Sequence, residues 1–549
     1  MQGAAAGAAL AHRNTAVVFD PEAPLLQNMH QLHSFASWLP SHVHLVSSIT
    51  ANKAALKRGP DDEANVTATT LYCMHTICAQ PLLALALQPA VSAAAAAAAA
   101  APPRDADADA DPSTGSQAGD SEQAAPQQQH VLRLASFSSN YAGMPVLQAL
   151  PAHSLTRLQF DLAGLCTPDY PGVSTQVSGL LARLSNLQEL QIDDTRSSSS
   201  SSSFPAGRCL AAIAQLRKLT QLRLNASNWT ELQQPLQQLL EQQQPLPLRK
   251  LHLELPERYV GSVDMSALTQ LQEFAVNELH PAMVLPRQLR SLQLTRVQMP
   301  GRLAPLTALQ QLQRLRVHIN IDHDATEAVQ RLAAALPALQ PVALAYDYAW
   351  DAMIAAPRWK QITQLRQLCF VQDAAAGGPP AYLNQIYSIL EGVAAATSLT
   401  KLELEEACLA HKSGAESQEW VPGAACRQLA RLTGLKDLCI TERSLLPPGD
   451  ALKLTALTNL TRLVLDNVRV GVGDAAAALI AQHLTQLRHL DLWCCELGST
   501  GWDCAELEHL VQLTKLPLEG NEQLSSVALS CVMGLRGKVH VRLDAEQRA

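Results

Sequence analysis

The sequence predicts an α/β solenoid in which short parallel strands line a concave face and helices or helical turns cover the convex face. Three observations predict it: leucine is far above ordinary usage at about 90 residues, aromatic residues make up only 4% of the 549 residues, and an LxxLxL pattern recurs along the chain. Length alone would suggest roughly three or four domains. Many copies of one small unit explain this composition better than several unrelated domains.

The LxxLxL pattern supplies the strand of each unit. It stands in LTQLRLNAS around Leu222, LTKLELEEA around Leu402, LTRLVLDNV around Leu463 and LTKLPLEGN around Leu516. The paired leucines of LxL fall on one side of a strand, and several upstream segments have helical spacing. One unit cannot bury its leucines alone, so neighbouring units must stack. We place about 15–16 units, with central residues at Leu158, Leu190, Leu222, Leu251, Phe274, Leu292, Leu315, Val342, Leu368, Leu402, Leu438, Leu463, Leu490, Leu516 and Val539, and a further start at Leu132.

Over about residues 131–543 this pattern resembles the leucine-rich repeat family, whose motif is LxxLxLxxN or LxxLxLxxC. Asn320 and Asn521 match the asparagine of that motif, and Cys495 matches its cysteine variant. Most other units carry a different residue there. The resemblance implies a leucine-rich repeat solenoid, or horseshoe, in which most of the asparagine ladder between turns is missing, so we expect an irregular solenoid.

Composition divides the chain into four expected parts. Residues 1–20 are predicted to be disordered, and residues 21–92 to form an N-terminal cap that includes a candidate degenerate repeat at 43–55. Residues 93–129 carry an alanine run and DADADAD, and are predicted to be a disordered linker. The solenoid is expected to occupy residues 130–549.

No motif that would carry catalysis fits this sequence, so no enzyme activity, cofactor or metal is expected. The chain has no phosphate-binding loop and no HExxH or GxSxG motif. The cluster CMHTIC (Cys73, His75, Cys78) lacks the usual CxxC spacing and a second pair. Ordinary thiols are the better interpretation of these cysteines.

Charge and targeting features point to a cytoplasmic protein. The net charge of −8 gives no general attraction to nucleic acid or to an anionic membrane. No secretory signal is evident, the alanine-rich segment 81–103 is a poor membrane span, and scattered cysteines suggest a reducing compartment. Association with the cytoskeleton or ciliary axoneme, or a nuclear location, stays open.

The repeat register predicts which side chains point into the concavity: those just before, just after and three after each central residue. Around Leu315 these form a cationic spot, and in the C-terminal half carboxylates gather near Trp493, a residue type enriched at interface hot spots. A merely solvated acidic face is the alternative interpretation. The predicted partner-binding residues are Arg314, Arg316, His318, Glu403, Glu405, Asp437, Cys439, Asp466, Asp491, Trp493 and Glu519.

The leading functional prediction is a non-catalytic scaffold that binds an unidentified protein on its concave face. One alternative is a substrate-recognition subunit of a cullin-type ubiquitin ligase, because many leucine-rich repeat proteins resemble F-box receptors. Here Trp38-Leu39-Pro40 does not follow the F-box order, and a Skp-type adaptor is expected only if this alternative holds. A second, less favoured alternative is a GTPase-activating leucine-rich repeat protein, for which no functional loop is recognised.

Overall fold

The computed structural model describes the repeat region almost throughout. The described residues are 15–19, 46–51, single positions between 31 and 87, and then 134–139, 143–162, 172–194, 204–226, 229–230, 232–242, 244–256, 263–280, 282–297, 300–319, 324–346, 349–370, 383–405, 424–441, 446, 450–498, 504–535 and 539–543. The predicted linker at 93–129, the CMHTIC cluster and Asn320 lie outside them. The side chain of Glu405 is also outside, although its backbone belongs to a described strand.

The chain forms two units, Met1–Leu271 and Gln272–Ala549. In the first unit, the strands that build the main sheet are β1 (Thr15–Phe19), β2 (Val46–Ala51), β3 (Ser136–Ser139), β4 (Arg157–Asp161), β5 (Glu189–Asp193), β7 (Gln221–Asn225) and β9 (Lys250–Glu254). Each pairs in parallel with the next. Two-residue strands β6 (Phe204–Pro205) and β8 (Trp229–Thr230) pair separately. The helices are α1 (Met144–Gln148), α2 (Val173–Arg183), α3 (Ala206–Ile213) and α4 (Gln233–Leu240).

The second unit repeats this plan with strands paired in chain order, all in parallel. Its strands are β10 (Glu273–Val276), β11 (Ser291–Val297), β12 (Arg314–Ile319), β13 (Val342–Tyr346), β14 (Leu365–Phe370), β15 (Lys401–Glu405), β16 (Asp437–Thr441), β17 (Arg462–Leu465), β18 (His489–Asp491), β19 (Lys515–Pro517) and β20 (His540–Arg542). Its α-helices are α5 (Asp324–Ala335), α6 (Ala349–Trp359), α7 (Leu383–Ala395), α8 (Ala424–Leu429), α9 (Arg469–His483) and α10 (Ser526–Leu535), and its 3-10 helices are Pro300–Ala308, Asp450–Ala456 and Cys504–His509.

Parallel strands with intervening helices confirm the predicted α/β leucine-rich repeat solenoid within each unit. The strand residues alternate between buried and partly exposed, as in β5 and β16. The buried residues are the predicted central ones and those two positions later, so each strand turns its leucines toward the helices. The opposite side of the sheet, called the open face below, carries the polar side chains.

The predicted central residues stand opposite one another in most repeats. Leu158, Leu190, Leu222 and Leu251 are in register, as are the residues from Leu368 to Leu490. A bulge in β14 breaks the pattern, because Val342 stands opposite Leu365 and Ala343 opposite Gln367, which leaves Arg366 as the extra residue and brings Leu344, not Val342, opposite Leu368. Leu365 and Leu368 are three residues apart and are both buried, because the extra residue lies between them.

The ends of the repeat array also differ from the sequence assignment. Val541, and not Val539, stands opposite Leu516. Phe137, and not Leu132, stands opposite Leu158. Strand β1 falls inside residues 1–20, where the composition predicts disorder. Its sequence TAVVF contains the β-branched residues that favour a strand, and it pairs with β2.

The core contains more aromatic side chains than the composition suggests. The few aromatic residues are concentrated inside: Trp359, Tyr346, Phe137, Phe160, Phe274 and Phe370 are the largest fully buried side chains of the described residues. Low aromatic content limits how many repeats hold a ring and does not exclude rings from the interior.

Threonines tie successive strands together where the strands begin. In LTxLxL the threonine stands two residues before the central leucine, and its Oγ1 donates a hydrogen bond to the carbonyl of the equivalent residue in the preceding repeat. The five bonds of this kind join Thr156 to Ala135, Thr220 to Gln188, Thr400 to Arg366, Thr461 to Lys436 and Thr514 to Arg488, at 2.8–3.2 Å. The same carbonyls accept the threonine backbone N–H. The threonine of the motif therefore has a structural role in stacking.

Candidate protein-binding face

The cationic spot predicted on β12 lies on the open face. Arg314 and Arg316 are exposed and His318 is half-buried, while Leu315, Val317 and Ile319 between them are buried. Neither arginine has an acidic partner within the part of the chain that the structure describes. Arg316 stands opposite Ala343 on β13, so its neighbour on that strand is a small side chain.

The predicted acidic residues Glu403 and Asp437 are ion-paired. Lys401 Nζ lies 2.7 Å from Glu403 Oε1 and 3.8 Å from Asp437 Oδ2, and Arg462 Nη1 donates to Asp437 Oδ1 at 2.9 Å. Lys401, Asp437 and Arg462 are opposite one another on β15, β16 and β17. The acidic character predicted for this part of the face is therefore largely neutralised by cations on the same strands.

A cysteine adds a further contact to Glu403. Cys369 Sγ on β14 donates to Glu403 Oε2 at 3.0 Å. Burial by itself would raise the pKa of Glu403, but the hydrogen bonds from Cys369 and Lys401 and the charges of Lys401 and Arg462 bring that pKa below its ordinary value. Cys439 is half-buried opposite Glu403. Glu403 is thus a charged, fully engaged group of the sheet surface.

The remaining predicted residues form a group at the far ends of β17, β18 and β19. This group is called the Trp493 patch and consists of Asp466, Asp491, Trp493 and Glu519. Backbone bonds continue the ladder past the strands, because Asn467 N donates to Trp493 O at 2.8 Å and Cys494 N to Glu519 O at 3.0 Å. Trp493 therefore sits between Asp466 and Glu519.

Trp493 is the exposed aromatic residue of this group, with 40% of its surface accessible. Its backbone N–H donates to Asp491 Oδ1 at 3.3 Å. The other oxygen of Asp491 lies 3.8 Å from His489 Nε2. The three carboxylates and the indole are all partly accessible, and they stand in neighbouring repeats about 4.8 Å apart.

A left-handed turn fixes the patch in each of these repeats. Asn467, Cys494 and Gly520, each four residues after its central leucine, have φ values of 58°, 49° and 76°. Gly520 has a second reason to be glycine, because a Cβ there would collide with Cys494 Sγ. The turn ends each strand at the same point, so the side chains just before it are held in a row.

A polar network on the open face of the first unit was not among the predicted residues. Arg157 contacts Glu189 through two bonds of 2.6 and 2.8 Å, and Gln221 Nε2 donates to the same carboxylate at 3.2 Å. Beside this pair a cavity of about 390 Å³ is lined by small polar residues of β2 and β3. The offsets used for the second unit would have found these residues, since Arg157 and Glu189 immediately precede the central Leu158 and Leu190.

Two further observations concern other functional classes. Within the described ranges, no three His, Cys, Asp or Glu side chains are grouped so as to hold a metal ion. None of the helices in those ranges combines the length and apolar character needed to cross a bilayer.

Comparison with known proteins gives structural likeness only. No protein-family model and no curated protein matches the chain. Similar solved structures include the TLR13–ssRNA13 complex (14% identity, 96% of this chain, 64% of that chain, TM-score 0.26), the Rad7 and Elc1 complex of yeast (13%, 76% and 77%, 0.27) and the Arabidopsis receptor kinase HAESA ectodomain with a peptide hormone (14%, 71% and 58%, 0.22). The chain thus spans less than two thirds of the first of these. At such TM-scores the likeness supports no inference about partners.

Proposed function

We propose that the protein is a non-catalytic interaction scaffold that binds a partner protein on its open face, with the Trp493 patch as the central contact. The observation that carries the proposal is the accessibility of Trp493. It is the one aromatic residue among the exposed large hydrophobic side chains of the described residues, whereas Trp359 and Tyr346 are fully buried. Interface hot spots are enriched in tryptophan.

The surroundings of Trp493 suit a basic segment of the partner. An arginine or lysine stacked on the indole face gains a cation–π contact. Asp491 is close enough to Trp493 to bond its backbone, and Asp466 and Glu519 flank it along the ladder. Backbone hydrogen bonds on both sides hold the tryptophan in position, so binding would cost little ordering of the scaffold.

Substitutions in the patch test the proposal. Crosslinking and affinity capture identify a partner, and its Kd is then compared for wild type, Trp493→Ala, Asp491→Lys and the control Val511→Ala, which removes an exposed apolar side chain elsewhere. We expect Trp493→Ala to weaken binding about 30-fold or more and Asp491→Lys to weaken it as well, with unchanged thermal unfolding. If both patch variants keep the wild-type Kd, the patch is not the binding site.

The ubiquitin-ligase alternative has its own test. Co-purification of a Skp-type adaptor with the full chain would support it, and a clean preparation without such an adaptor would count against it. In the segment concerned, Leu39 is fully buried and Trp38 stacks on His42 with ring centroids 4.4 Å apart. These contacts give no specific support to an F-box.

A further inference from the structure

A regular column of positive charge runs along the second unit where its strands begin. The two residues just before each central leucine include one lysine or arginine in six consecutive repeats, β14 to β19. The members of this entrance column are Arg366, Lys401, Lys436, Arg462, Arg488 and Lys515. Where the cation takes the second of the two positions, in β15, β17 and β19, the first holds the stacking threonine.

The strand register sets the spacing of the column. Lys401, Asp437, Arg462, His489 and Lys515 stand opposite one another on β15 to β19, so Lys401, Arg462 and Lys515 recur on every second strand, about 9.6 Å apart. Lys436 and Arg488 precede Asp437 and His489 by one residue on the two strands between them. Asp437 is the acidic residue within the column, and it is already paired with Lys401 and Arg462.

Four members of the column, Arg366, Lys436, Arg488 and Lys515, have no acidic partner among the described residues, and Arg366 donates instead to backbone carbonyls. Lys436 and Arg488 are exposed and Lys515 is half-buried. Lys436, Arg488 and Lys515 stand where β16, β18 and β19 begin. Arg462, which is paired with Asp437, lies between the first two. Exposed like charges in a row repel one another. A bound anionic chain would relieve that repulsion, whereas ion pairs within the sheet relieve it only at Lys401 and Arg462.

The column is narrow, and its width limits which kind of anion can bind to it. The carboxylates of Asp466, Asp491 and Glu519 lie three or four residues further along the strands from the column, roughly 10–13 Å away. A broad polyanion would overlie these carboxylates. Single-stranded nucleic acid is normally held by stacking on aromatic side chains, and the column positions contain none. The net charge of −8 also disfavours long-range attraction of nucleic acid.

We propose that the entrance column on β16–β19 binds an acidic polypeptide segment that runs across the strands. Each carboxylate-rich stretch of that segment spans a few repeats. This goes beyond the proposed function of the Trp493 patch, which favours a basic segment at the opposite ends of the same strands. The two surfaces are separable, since none of Lys436, Arg488 and Lys515 belongs to the patch.

The test uses the full chain and a labelled peptide of about a dozen residues, half of them Glu, with an uncharged Gln peptide as reference. The column variant combines Lys436→Glu, Arg488→Glu and Lys515→Glu. The control variant combines Arg331→Glu, Lys360→Glu and Arg431→Glu, which changes the net charge equally at exposed helix and turn positions. We expect saturable binding that weakens with salt, a loss of at least about tenfold in the column variant, and a change within about twofold in the control.

Three results would overturn the inference. These are no binding of the acidic peptide by wild type, equal loss in both variants, or tighter, column-dependent binding of a single-stranded oligonucleotide of the same charge. Thermal unfolding of each variant confirms that the fold is retained. A Trp493→Ala variant that still binds the acidic peptide separates this surface from the proposed function.

Discussion

Two regions of the second unit solve the same packing problem in different ways. Around β13 and β14 the interior is filled by rings: Tyr346, Trp359 and Phe370 have centroids 5.7–6.0 Å apart. Around β18 and β19 it is filled by leucines and by one buried amide, Asn521, which is 1% exposed. Both regions must satisfy polar groups inside a dry core, because an unpaired buried donor or acceptor is costly.

The ring region satisfies its polar groups among side chains. Trp359 Nε1 donates to Tyr346 OH at 3.0 Å, and Thr326 Oγ1 lies 2.8 Å from the same hydroxyl. Burial raises the pKa of Tyr346, so its hydroxyl stays protonated. None of these bonds reaches the backbone of a neighbouring strand. The cluster therefore fills volume without fixing how one strand aligns with the next.

The amide region does fix that alignment. Asn521 accepts from the backbone N–H of Cys495 and Leu497 and donates to the carbonyls of Leu492 and Leu518, four bonds of 2.7–3.1 Å. Cys495 in turn donates through Sγ to Leu465 O at 2.9 Å. Bonds from side chain to backbone join each repeat to the one before it. Such bonds hold neighbouring repeats in register, whereas the bulge at Arg366 of β14 lies where rings fill the core.

Removing a ring should have the largest effect. Trp359→Ala leaves a cavity the size of an indole and deprives Tyr346 of a donor, so we expect a loss of about 3–5 kcal/mol of unfolding free energy, measured by denaturant titration. Trp359→Phe keeps most of the volume and should lose about 1–2 kcal/mol, which isolates the hydrogen bond. Equal losses in the two variants would show that volume is not what the cluster provides.

Removing the Asn521 amide should lower the unfolding free energy somewhat less than removing the Trp359 ring, but it should disturb the strand register more. Asn521→Ala leaves two donors and two acceptors buried, and we expect a loss of about 3 kcal/mol. Amide hydrogen exchange should rise most at Cys495 and Leu497. The control is Asn459→Ala, which loses one exposed bond to Thr433 O and should change stability by about 0.5 kcal/mol. Unchanged exchange at both amides would remove the basis of the comparison.

The same contrast separates the features of the molecule that the sequence predicts from those that it does not. The LxxLxL spacing predicts the strands, and the offsets from the central leucine correctly predict that Arg314, Arg316 and Trp493 lie on the surface, because both depend only on strand periodicity. The bulge in β14 corresponds to a departure from LxL, because Leu365 and Leu368 are three residues apart instead of two, and taking Leu368 alone as the central residue passes over it. The pairing of Asp437 with Arg462 does not follow from the acidic residues alone, because it depends on the cation at the equivalent offset in the next repeat. Trp359 lies in α6, between two strands. The LxxLxL pattern does not assign buried and exposed positions in the helices, so it does not predict that Trp359 is buried.

The smallest expected effect tests whether the threonines contribute to register alongside Asn521. Thr461→Val removes the 3.1 Å bond to Lys436 O while keeping the side-chain volume, so a loss of about 0.5–1 kcal/mol is expected. Thr455→Val is the matched control, because its 2.7 Å bond to Leu452 O lies within one repeat. If the threonine bond aligns strands, exchange at Thr461 and Arg462, whose N–H groups share the Lys436 carbonyl, should rise only in Thr461→Val. Similar exchange in both variants would mean that the backbone bonds alone align β16 with β17, which would leave Asn521 and Cys495 as the main side-chain determinants of register.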